Sequence, residues 1–275
     1  MNALTHLLSL PALALSKLPG CGPVVRACST SVGQKIVMAI TGLSLCGFLV
    51  AHLGGNLLLF VGEDKFNAYA KALHEQAALL AIAETGLFVL FVTHLGLAVS
   101  TGAMNQRARK RDYELKESKQ GISALPQGGA SSWMLATGLL IFVFLMLHLA
   151  DLRLKINPLV DYKPAYPAAA SAAETAHSSD GAAVAVHPAG DSEHQVNEYR
   201  AVRQVLSTPL SAVVYFIGIA ALGVHLTHGV RSALQSLGLV QRRFEVLIRI
   251  GSILFGWGIA LGFISIIAWG LASPQ

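Results

Sequence analysis

Apolar residues in this chain come in long runs, not in the alternation of a half-buried strand or the narrow stripe of a surface helix. Five runs reach the roughly 20 residues that a helix needs to cross a bilayer. They cover 36–61, 79–104, 133–150, 210–230 and 246–271. Charged side chains are largely confined to the connections, with Glu84 and Arg249 near the starts of the second and fifth runs. Gly and Pro inside the runs are tolerable, because neighbouring helices satisfy the backbone. The pattern predicts an all-α membrane protein of five transmembrane helices. It divides into an N-terminal segment 1–30, helices one to three over 31–150, an outer loop 151–208, and helices four and five over 209–275.

Composition agrees. Of 275 residues, 53% are hydrophobic and 13% charged, against about 25% charged in an average soluble domain. The net charge of +5 would suggest nucleic acid in a soluble protein. Here the basic residues cluster at helix ends, which reads as topology, so no nucleic-acid partner is expected. Lys17, Arg26 and Lys35 precede the first run. Arg107, Arg109, Lys110, Arg111, Lys116 and Lys119 follow the second, and Arg231, Arg242, Arg243 and Arg249 flank the turn into the fifth. All of these lie on one side. The other side holds Lys65, Lys71, Arg153, Lys155, Lys163, Arg200 and Arg203, spread more thinly. The positive-inside rule then puts the N-terminus in the cytoplasm and the C-terminus outside.

Cys21, Cys28 and Cys46 are too few and too scattered for a disulfide framework or a cysteine metal site. Residues 1–30 lack a basic n-region and a clean cleavage site, so they read as a retained segment on the cytoplasmic membrane surface. Within the outer loop, 164–194 is rich in Ala, Ser, Pro, Gly and His. That composition suits a flexible insertion, and His177, His187 and His194 read as solvated loop residues before they read as metal ligands.

Ionisable residues inside a membrane are costly and mark function. Here they are histidines: His52, His94 and His148 on the first three helices, and His225 with His228 on the fourth. A lone intramembrane His is more often a packing residue. One on each of four successive helices suggests ligands, and the iron of a b-type haem takes two imidazoles. Depth separates them into levels. From Lys35 to His52 is about 25 Å at 1.5 Å per residue, near the outer face, and His148 stands just before Asp151 at the same face. His225 is about 9 Å from Arg231 at the inner edge, while His94 is about 20 Å from Arg107 and nearer mid-membrane. The expected pairs are therefore His52 with His148, outer, and His94 with His225, inner, the second match being looser. His228 lies one turn from His225 on roughly the same face. Only one of the two can serve beside His94, and the other would bond a propionate or a carbonyl.

Residues 41–53 read TGLSLCGFLVAHL and residues 137–149 read TGLLIFVFLMLHL. Thr, Gly, Leu, Phe, Leu, His and Leu recur at the same offsets, so one helix design appears twice. Gly42 and Gly138 would admit a flat macrocycle or a neighbouring helix.

The stretches SVGQKIVMAITGLSLCGFLVAHLGGNL (31–57), FNAYAKALHE (66–75), TGLLIFVFLMLHLAD (137–151) and HLTHG (225–229) resemble the dihaem cytochrome b membrane anchor of succinate:quinone oxidoreductases, in its single-subunit, five-helix form found with fumarate reductases and bacterial succinate dehydrogenases. The resemblance covers about residues 30–160 and 205–270. It implies two haem b groups within the bundle, with ligands His52, His94, His148 and His225. The family's fourth-helix ligand stands four residues before a Gly, and here Gly229 selects His225. It implies a flavoprotein partner with FAD and an iron–sulfur partner, both cytoplasmic, a quinone (menaquinone in preference to ubiquinone), membrane lipid, and the bacterial cytoplasmic membrane. On that resemblance the chain is the non-flavin subunit of an enzyme that passes electrons between the succinate/fumarate couple and quinone. The insertion in the outer loop departs from the family.

Quinone turnover needs groups that move protons near the outer haem. Glu84, His74 and Glu75 lie on that side, Glu84 within an apolar helix and the other two in a connection. Ser31, Lys35 and Arg231, at the inner edge, would meet haem propionates, with interfacial snorkelling as the competing role for the two cations. Two other function classes fit the same features: a dihaem cytochrome b of a hydrogenase or formate dehydrogenase, whose electrons come from outside, and a transporter using histidines as a proton relay. A purely structural anchor is a further class, in which losing the histidines would leave electron transfer intact.

Overall fold

The computed structural model describes residues 30–108, 130–156 and 197–272. Cys21, Cys28, His177, His187 and His194, the basic residues 109–119 and the insertion 164–194 fall outside the described residues. Among the described residues the chain is all-helical, without a strand. The helices are α1 (Ser31–Asn56), α2 (Glu63–Glu75), α3 (Ala77–Ala108), α4 (Ala130–His148), α5 (Glu198–Ser207), α6 (Pro209–Ser236) and α7 (Glu245–Ala272). Five of them, α1, α3, α4, α6 and α7, are long and apolar enough to cross a membrane.

Local chemistry sets the helix ends. α1 begins before the apolar run does, because Thr30 caps it: its hydroxyl accepts from the Gly33 amide at 3.0 Å. It ends at Gly54-Gly55-Asn56 and passes through a 3-10 turn, Leu57–Phe60, to Gly62. Gly62 has φ 127°, open only to glycine at low cost, and turns the chain into α2. Glu63 and Asp64 then complement the N-terminal dipole of α2. α4 runs into a π-helical turn at Leu149–Arg153. Pro209 opens α6, where its missing N–H costs nothing.

Large apolar side chains point outwards along the spanning helices. Ile82 is 70% exposed, and Phe88 and Leu254 are 68% exposed. A soluble protein rarely leaves so much apolar surface bare, whereas lipid is as apolar as these side chains. The chain is accordingly a multi-pass membrane protein.

α6 is the central helix and packs on α7, α4 and α1, while α3 leans mainly on α1. α6 and α7 approach through small residues. A Cβ on Gly256 would lie 2.8 Å from the Thr227 backbone nitrogen, and one on Gly223 would lie 2.8 Å from the Ala260 Cβ. Small residues let helices close up where lipid provides no hydrophobic drive.

Beyond the insertion 164–194, the end of the loop 151–208 is a helix, α5. α5 buries Ala201, Val202, Val205 and Leu206 on one face, and Val205 is completely buried. Val202, Val205 and Leu206 join Leu59, Phe66, Tyr215 and Ile266 in one apolar cluster. Asparagines lock α5 to α2: Asn67 Nδ2 donates to Asn197 Oδ1 at 3.0 Å, and the Tyr199 amide donates to Asn67 Oδ1 at 3.1 Å. Asn197 caps α5 through the Arg200 amide and also donates to Glu63. Arg200 pairs with Glu63 at 3.0 Å and Lys155 with Glu198 at 2.8 Å. Together α2 and α5 cap the bundle at the end where α1 and α4 finish.

Candidate functional site: two histidine pairs

At the end beneath that cap, the rings of His52 on α1 and His148 on α4 meet edge to face, with centroids 5.9 Å apart. Each is backed by the phenylalanine one turn earlier. Phe48 stacks on His52 at 5.2 Å, and Phe144 lies 5.8 Å from His148. Phe263 from α7 and Tyr215 from α6 close the sides at 5.7 Å each. The Asn56 amide lies 3.4 Å from Nδ1 of His52 and donates to the His52 carbonyl oxygen at 2.8 Å. Nδ1 of His148 is buried with no hydrogen-bond partner among the described residues.

A second level lies about 16 Å along α1 and α4, by the helical rise between Thr41 and His52. There the partners come from the alternate helices, α3 and α6. The Thr41 hydroxyl is 3.2 Å from Nδ1 of His94, and the Thr137 hydroxyl is 3.1 Å from Nδ1 of His225. Gly42 and Gly138 face the same rings: a Cβ would meet Cε1 of His94 at 3.0 Å and Cε1 of His225 at 3.6 Å. Both rings thus sit against the Thr-Gly starts of the two repeat copies. His228, one turn further, is half-buried and within reach of Arg231.

The repeat thus does two things on each helix. Its Thr-Gly start receives a histidine from a neighbouring helix, and its Phe-x-x-x-His end contributes a histidine of its own. The threonines escaped the reading of the sequence, although Thr is the first shared letter of the repeat. Gly42 and Gly138 do admit a neighbour, and that neighbour is an imidazole.

Comparison with protein-family models, curated proteins and solved structures finds no match to this chain. The donor chemistry has to be judged from the residues themselves. Among the described residues no group of three or more His, Cys, Asp or Glu is placed to hold a bare metal ion. Two-histidine sets suit a metal whose remaining positions a macrocycle fills, which is the ligand set of a b-type haem. The 5.9 Å separation of His52 and His148 is close to what two metal–nitrogen bonds of about 2 Å plus part of each ring would require. The outer pair fits the group.

The other candidates take definite places. Glu84, early in α3, forms a two-pronged pair with Arg153 of the π-helical turn, Nε–Oε1 3.0 Å and Nη2–Oε2 3.2 Å. His74 Nδ1 donates to the Ala70 carbonyl at 2.8 Å, and Glu75 stands 3.9 Å from Lys71; both lie on the exposed end of α2. Ser31 and Lys35 are exposed on the first turns of α1. Arg231 pairs with Glu245 at 3.0 Å and ties the end of α6 to the start of α7.

Proposed function

We propose that this chain is the membrane-anchoring dihaem cytochrome b subunit of a succinate:quinone oxidoreductase, working with a flavoprotein carrying FAD and an iron–sulfur protein. One observation carries the proposal. Four intramembrane histidines from four spanning helices stand at two depths, two contributed and two received by the two copies of one helix design. The sequence motifs that resemble the family add the identity of the partners and of the quinone.

Each part of the chain has a task on this reading. His52 and His148 hold the haem at the capped end, and His94 with His225 hold the other. When bound, the two haems supply one-electron carriage between the two faces of the membrane. Phe48, Phe144, Phe263 and Tyr215 keep the outer pair dry. Glu84, with His74 and Glu75 as alternatives, exchanges protons with quinone at that end, the quinone being menaquinone. Ser31, Lys35 and Arg231 stand at the opposite end, suited to anionic propionates. Positive loops put that end in the cytoplasm, so a reporter fused after the last helix should read external, and a cytoplasmic signal would reverse the orientation.

Purification of the chain with whatever subunits accompany it is the test. The expected outcome is two haems per chain by pyridine haemochrome, both low-spin with two imidazoles, together with a flavoprotein and an iron–sulfur subunit. One haem or none rejects the assignment, and no haem at all leaves the proton-coupled transporter. Two haems accompanied by hydrogenase or formate dehydrogenase subunits transfer the chain to that class.

A further inference from the structure

The threonine contacts decide which ring nitrogen of each inner histidine carries the proton. A threonine hydroxyl has one proton to give. Thr41 directs its hydroxyl at its own helix, 2.9 Å from the Val37 carbonyl and 3.1 Å from that of Met38. Thr137 repeats this at 2.8 Å from Trp133 and 3.2 Å from Met134. With the proton spent on the backbone, each oxygen turns a lone pair towards the imidazole, so Nδ1 is the donor. A second contact agrees at His94. His94 Nδ1 is 3.2 Å from the Met38 carbonyl oxygen, which can only accept. Nδ1 holds the proton in both rings, and Nε2 is left with a free lone pair.

We infer that Thr41 and Thr137 are positioning residues for the inner haem: each fixes the tautomer and rotation of the histidine across from it, so that Nε2 of His94 and of His225 is the ligating atom. The inference rests on the haem reading above and deepens it. The same cradle, a back-bonded Thr followed by a Gly against the ring, is built twice from separate helices onto separate histidines. The outer histidines lack this cradle and are held among Phe48, Phe144, Phe263 and Tyr215, with Asn56 beside His52. Hydrogen bonding from the non-ligating N–H raises the basicity of a metal-bound imidazole and is worth about 10–100-fold in metal affinity.

The experiment uses the intact complex with Thr41→Val, Thr137→Val and the corresponding Ser variants. Haem content, midpoint potentials and electron paramagnetic resonance g-values are measured for both haems. Valine matches threonine in shape and removes only the hydroxyl. Each Val variant should hold the inner haem about 10-fold less tightly and raise its midpoint potential, because a less basic ligand favours the ferric state less. The outer haem should be unchanged, and Ser should restore the inner one. If the wild type carries two haems and both Val variants match it in retention and potential, the inference is overturned while the haem assignment stands. Loss of both haems together, or a defect that Ser does not repair, means general packing and also overturns it. A wild type without haem removes the functional assignment itself, and this inference with it.

Discussion

The ring centroids of His52 and His148 lie 5.9 Å apart with the two planes nearly perpendicular, although they lie on helices α1 and α4 that are far apart in the chain. Each is the last polar position of one copy of the repeated segment, and each has its phenylalanine one turn before it. If they share a haem, either one removed should cost the same cofactor. His52→Ala and His148→Ala should each lose the outer haem and keep the inner one. Succinate oxidation with an artificial acceptor should survive, because that chemistry lies on partner subunits, while quinone-linked turnover should fall to background. Spectra showing loss of different haems in the two variants would separate the pair.

His225 and His228 are one helical turn apart, yet only His225 is held by Thr137 and faced by Gly138. His225→Ala should abolish the inner haem, and His228→Ala should retain it. Reduced-minus-oxidised spectra decide between them, and a haem lost on substitution of His228 would move the ligand by one turn.

Gly42 and Gly138 occupy matching places but differ in clearance. A methyl on Gly42 would sit 3.0 Å from Cε1 of His94, which forces the ring to shift, whereas the same methyl on Gly138 lies 3.6 Å from His225, an ordinary contact. Gly42→Ala should therefore perturb the inner haem's spectrum and potential, and Gly138→Ala should leave them close to wild type. Equal effects in the two variants would contradict the clearances.

Glu84 stands in an apolar stretch and grips Arg153 with both oxygens. Glu84→Gln should keep both haems. If the carboxylate carries quinol protons, quinone turnover should drop, general acid–base groups being worth about 10²–10⁴-fold. Full quinone turnover in the Gln variant would eliminate Glu84 and leave His74 or Glu75.

Much of the architecture was readable along the chain. A bilayer demands about 20 apolar residues per crossing, and this demand is local, so the five spans appear as runs without any knowledge of packing. Grouping the histidines by depth was possible for the same reason, since a straight helix converts sequence separation into height. The repeat was visible as letters, including the Thr that contacts a histidine in each copy.

What the letters could not supply is which surfaces meet. Residues 197–207 carry no helix signal that the sequence reading used, and a ten-residue polar helix has little stability alone. α5 forms because Val202, Val205 and Leu206 bury against α2, α6 and α7, and because Asn67 and Asn197 bond across a long gap in sequence. The pairing of Glu84 with Arg153 likewise depends on where α3 and the π-helical turn come together. Thr41 reads from sequence as an ordinary helix threonine bonding its own backbone. Only the crossing of α1 with α3 brings His94 to its remaining lone pair, and the crossing of α4 with α6 does the same for Thr137 and His225. Sequence alone determined the spans and the heights, which follow from solvent and helical rise. Tertiary structure decided the partners, which follow from the angles at which helices pack.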